Sequence, residues 1–196
     1  MSSHSRPAGD ARKAQRAGFP GRFLRDRSGS TAIEFAALAL PFSMLVFAIL
    51  ESCIAFAGQE VMANATDDVA RQLRTGQVRS VSTPDLKAMI CAKLEVMVSS
   101  DCPNQMIVDL QQYTTFQDAA AVGFAIVNGE IKPTKNRQVI STNFSVTTGG
   151  ASSINMLRVF YKWPVMTDFM SKWMANLNDG KTLHFTSITW QNEPFE

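Results

Sequence analysis

The 196 residues, 45% hydrophobic and 18% charged with a formal net charge of +2, leave room for one domain with a modest core once a tail and an apolar segment are set aside. Three Cys, two His and no Cys-x-x-Cys spacing argue against a metal centre and leave a catalytic site few bases to draw on. The charge is unevenly placed: residues 1 to 28 carry seven basic side chains against Asp10 and Asp26, +5, so the remainder is about −3.

Residues 1 to about 24 mix Ser, Arg, Ala, Gly and Pro without periodicity and are expected to be disordered. A basic tail of this kind could grip nucleic acid, but it runs directly into an apolar segment. The positive-inside rule accounts for it better: the tail stays cytoplasmic and the chain beyond the span is exported. No nucleic-acid partner is expected.

The tail ends in Arg25-Asp26-Arg27-Ser28-Gly29-Ser30-Thr31-Ala32-Ile33-Glu34-Phe35, and no Lys or Arg then occurs until Arg71. Glu34 is a lone carboxylate five residues after Gly29, at the mouth of an uncharged run from Phe35 to Leu50. Burying a charge there is costly, so the residue type at that position points to a purpose. Past Glu51 and Ser52 the run continues as Cys53 to Ala57. As a helix, Phe35 to Ala57 covers roughly 34 Å, enough for a bilayer core of about 30 Å. The competing reading, a buried core helix, would show a polar stripe sooner. Pro41 would free a backbone carbonyl near Ala37 and permit a kink. Glu51 is expected at the exported edge of the hydrocarbon, marking the interface.

Gln59 to Arg74 keeps helical spacing through Val61, Ala65, Val69 and Leu73, and Gly76 supplies a stop behind Arg71 and Arg74. The predicted organisation is a basic leader over 1–29, a membrane helix over 30–57, its helical extension over 58–80 and an exported α+β domain over 81–196. Thr83-Pro84-Asp85 starts a second helix, with Thr83 as N-cap, and Leu86, Met89, Ile90, Leu94, Met97 and Val98 give it one apolar face. Cys91 and Cys102 flank its end. In an oxidising compartment they would pair, closing a loop that stabilises by roughly 3 kcal/mol in the chain-entropy model; in a reducing cytosol they would be free thiols. Cys53, inside the apolar run, reads as a small apolar residue.

From Met106 the pattern changes to strands. Met106 to Leu110, Tyr113 to Phe116, Ile154 to Trp163 and Lys181 to Trp190 are β-rich and should pair in an antiparallel sheet, with Leu157, Val159, Tyr161 and Trp163 on one face. Gln117 to Gly150 reads as long loops with at most a weak hairpin. Pro164 to Asn176 reads as a helix burying Val165, Phe169, Met170 and Trp173. His184 lies in a strand with no nucleophile elbow nearby, so it is expected on the strand surface rather than as a catalytic base. No catalytic residue, cofactor or metal is expected, and the chain is not expected to be an enzyme.

A basic cluster, Gly29, four residues, Glu34, Phe35 and a long apolar helix resembles the signal cut by prepilin peptidases, and in particular the TadE-like pseudopilins of the tight-adherence (Flp/Tad) type IVb pilus. Ala63 to Arg71 with Arg74 to Gln77, Cys91 and Cys102, Val159 to Pro164 and Gln191 to Phe195 extend the likeness from about Phe23 to the end. The resemblance implies a pilin-like fold and cleavage between Gly29 and Ser30. It also implies a role for Glu34 in neutralising the freed amine of a neighbouring subunit, an interaction much stronger in low dielectric than in water. Its implied partners are the prepilin peptidase, other pilus assembly proteins and pseudopilins, and inner-membrane lipids. Phe35 departs from the Tyr usual in the major pilins, and about 120 residues of folded domain exceed the tiny major subunit. Both imply a minor pseudopilin or assembly component in the inner membrane, its amino end cytoplasmic and its domain periplasmic. The rival is a secreted binding protein whose signal peptide is cut after Ala57, at Ala55-Phe56-Ala57.

Overall fold

The computed structural model describes residues 30–98 and 100–195, and the leader predicted over 1–29 lies outside them. The chain divides into two compact units, Met1–Leu45 and Val46–Glu196. Helix α1, Ser30–Arg74, is Ala- and Leu-rich, holds Pro41 in its interior and has Arg71 and Arg74 in its last turn, where cations suit the helix dipole. It stops at Gly76, whose φ of +71° is open to a residue without Cβ. Helix α2, Thr83–Leu94, is capped by Ser82 rather than Thr83, the Ser82 hydroxyl accepting from the Asp85 amide. It ends about a turn earlier than the apolar spacing predicts.

A short α3, Cys102–Gln105, leads into β1, Met106–Tyr113. Then come α4, Phe116–Ala120, and three strands, β2 (Val122–Val127), β3 (Glu130–Lys135) and β4 (Gln138–Val139). Strand β5, Ile154–Pro164, helix α5, Asp168–Met174, and β6, Lys181–Gln191, complete the chain.

Two antiparallel sheets result, β1-β5-β6 and β2-β3-β4. In the first, β5 is central, with Val159 opposite Val108 on β1 and Thr186 on β6. Its residues from Asn155 to Tyr161 are all buried, because both faces of the strand are covered. One face, Leu157, Val159, Tyr161 and Trp163, packs in the main core with α1 and α2 residues such as Met62, Val69, Leu86 and Ile90. On the other, Phe160 meets Phe124, Phe144 and Phe185 at ring separations of about 5 Å.

The buried stripe of α1 is Glu51, Ala55, Gly58, Met62, Ala65, Thr66, Val69, Ala70 and Leu73, spaced by threes and fours. Small residues in it let the sheet come close: a Cβ built at Gly58 would lie 2.5 Å from the Trp163 ring.

The second sheet falls where the sequence reads as loops. Its β2–β3 turn is Asn128-Gly129, both at positive φ, which is the two-residue hairpin geometry that Asn-Gly favours. The strands it joins alternate poorly because β2 is half exposed and β3 carries Pro133, so periodicity concealed them.

Candidate functional site

From Thr31 to Leu50 α1 holds no buried residue, and its most apolar 18-residue window has a mean hydropathy of 2.2. Ile33, Phe35, Leu38, Phe42 and Phe47 are all strongly exposed. Soluble helices rarely leave so much apolar area in water, and one apolar helix of this length fits a single-pass membrane anchor. Ser30 is the first residue of α1, with Glu34 and Phe35 about one turn further on, both exposed. Gly29, the other half of the expected processing site, lies outside the described residues.

Burial starts at Glu51, which is 5% exposed. Its Oε1 accepts the amides of Met166 and Thr167, the latter at 3.3 Å, and its Oε2 accepts the Thr167 hydroxyl. Thr167 is in turn the N-cap of α5, accepting from the Met170 amide at 3.4 Å. The carboxylate thus sits where the unpaired N–H groups and positive end of a helix lie, which favours an anion. Sequence reasoning placed Glu51 at an interface as a marker; the fold makes it the peg that ties α5 to α1. No local pattern could reveal this, since its partners lie more than a hundred residues away.

One turn further, Ala55, Phe56 and Gln59 on α1 line a cavity of about 340 Å³ with Met174, Thr182 and His184. Gln59 Nε2 donates to the Phe185 carbonyl at 2.7 Å, pinning α1 to β6. His184 is not a surface residue as expected: it is 6% exposed, stacked on Trp163 at 4.8 Å, and its Nδ1 has no hydrogen-bond partner among the described residues. Burial pushes its pKa down to about 4 and keeps the ring neutral. Ser52 lines the same cavity, but its hydroxyl and that of Thr182 donate to the Ala48 and Met174 carbonyls, and no carboxylate lines it to orient the imidazole. Among the described residues no group of three His, Cys, Asp or Glu could hold a metal.

Cys91 on α2 and Cys102 on α3 are joined, with their Cα atoms 5.9 Å apart, while Cys53 is free and exposed. The bond ties the end of α2 to the start of the strand region.

These features define an α+β protein with a pilin-like arrangement: a long, initially apolar helix followed by a helix and small antiparallel sheets. Over residues 29–71 the chain matches the family model described as TadE-like protein. The match starts at Gly29 and closes near the end of α1, so the likeness read further on, at Cys91, Cys102, Val159 to Pro164 and Gln191 to Phe195, lies beyond it. It associates the chain with the Tad pilus, whose TadE-like members are pilus components and not known enzymes. No curated protein matches the chain, and no solved structure does.

Proposed function

We propose that this chain is a minor pseudopilin or assembly component of a tight-adherence pilus, held in the inner membrane by α1 and acting through subunit contacts. The observation that carries the reading is the uncovered apolar run of Thr31 to Leu50 in a segment that matches the TadE-like family. Its 20 residues reach roughly 30 Å, the thickness of a bilayer core. The lipid-crossing part then ends near Leu50, before the sequence-based boundary at Ala57, because the folded unit takes hold at Glu51. The basic leader supports a cytoplasmic amino end and an exported domain, where the Cys91–Cys102 bond would be retained.

The prepilin peptidase would cut after Gly29, freeing the Ser30 amine. Glu34 would then pair with the amine of a neighbouring subunit's Ser30 and set the register of bundled helices. Against the secreted alternative stands Glu51: cleavage after Ala57 would remove the acceptor of the Met166 and Thr167 amides and the buried Ala55.

N-terminal sequencing of the protein from the membrane fraction tests this directly. A start at Ser30 is expected; a start at Gly58 in a soluble fraction would sink the proposal, and an uncut start would reduce it to a plain anchor. Glu34→Gln is expected to leave export intact and to impair processing or pilus assembly, and normal piliation in that variant would remove the role given to Glu34.

A further inference from the structure

Helix α5 buries none of its residues, although four of its seven are apolar. Phe169 and Trp173, four residues apart on α5, are 54% and 80% exposed, and Met166, just ahead of the Thr167 N-cap, is 62% exposed. This apolar face is not isolated: Met174 at the end of α5 lines one cavity with Phe56 of α1, itself exposed, so apolar surface continues from one helix to the other. Glu51, one residue past the uncovered run, holds the start of α5 through two amides and a hydroxyl. The far end is held too, by Thr182 Oγ1 donating to the Met174 carbonyl at 2.8 Å. The face is therefore fixed beside the residue at which α1 ceases to be uncovered.

We propose that the Phe169 and Trp173 face of α5, with Met166 just ahead of it, is a second membrane contact, lying in the headgroup region of the same bilayer leaflet from which α1 emerges. The inference rests on the membrane-anchor reading above. Trp and Phe are the side chains that favour this boundary, and Lys172 on the same short helix can meet lipid phosphates. A stable interface between protein copies takes about 800 Å² per partner, more than the seven residues of α5 offer without further surface from a copy docked along α1. The bilayer is already present at this height and requires no such area. α5 would thereby fix how deep the domain sits and hinder its tilting about α1.

The test uses the full-length chain reconstituted in vesicles of phosphatidylethanolamine and phosphatidylglycerol, with Cys53→Ser removing the free thiol. An environment-sensitive fluorophore is attached at Phe169→Cys, at Phe42→Cys in the apolar run, or at Val96→Cys, which is exposed and remote in sequence from both. The expected result is blue-shifted emission at position 169 that is lost with headgroup-region nitroxide lipids, with position 42 quenched by mid-chain nitroxides and position 96 unaffected. Water-like, unquenched emission at 169 with quenching at 42 would overturn the proposal and leave the anchor standing. Failure of quenching at both positions would remove the anchor and the proposal together. Blue-shifted emission at 169 that lipid nitroxides do not touch, with crosslinking between copies through that cysteine, would assign the face to a second copy and overturn the lipid contact.

Discussion

Asp109 on β1 and Arg158 on β5 face each other across the sheet, both buried, with Asp109 Oδ2 accepting from Arg158 Nε at 3.0 Å and from Nη2 at 2.7 Å. Arg158 Nη1 also donates to the Gly123 carbonyl, and Asp109 Oδ1 accepts the Ser145 amide, so one ion pair joins the two sheets and the loop after β4. Asp109→Ala should cost about 3–5 kcal/mol in urea unfolding, because it strands a buried guanidinium, whereas an apolar pair at both positions should recover most of that loss. His184 makes a pH prediction. The folded state keeps it neutral down to about pH 4 while the unfolded chain takes a proton near 6.5, so the unfolded state binds more protons between these values. The contribution of His184 to stability should be level above pH 6.5, fall by about 3 kcal/mol as pH drops to 4, and level again below. Thermal melts of His184→Gln across this window should lack that fall. None of these three roles is legible in the chain: Asp109 and Arg158 lie 49 positions apart, and His184 acquires its environment from Trp163 on the neighbouring strand and from α1.

Among the elements, those with local causes could be read directly. The α1 stop at Gly76, the start of α2 near Pro84 and the two long strands β5 and β6 arise from caps, turn residues and β-branched runs. The β2–β3 hairpin carried its own signal in Asn128-Gly129, which weak alternation on either side hid. Helix α5 was predicted as a helix but turned the wrong way: periodicity marks Phe169 and Trp173 as one face and cannot say whether protein or something else covers it. The link between α1 and α5 gives a further expectation. Glu51→Ala leaves the Met166 and Thr167 amides without their acceptor and should destabilise this corner by about 1–3 kcal/mol. Hydrogen exchange at those two amides should accelerate, while exchange in β5 stays slow; unchanged exchange at 166 and 167 would mean the peg is not needed.

Across the whole molecule, charge and hydropathy are segregated along the chain, with the basic excess in residues 1 to 28 and a slightly acidic remainder. If that asymmetry sets orientation, replacing Arg22, Arg25 and Arg27 by Glu should reduce export of the folded unit, read by protease accessibility in spheroplasts. Composition and order alone determined that one long apolar segment precedes an α+β domain, because a bilayer-length run and the two periodicities of helix and strand are local properties of a chain. The tertiary structure decided where that segment ceases to be uncovered, which face of α5 stays open and which buried charges are paired. Each of these depends on residues that folding brings together from far apart, and no window of sequence contains both partners.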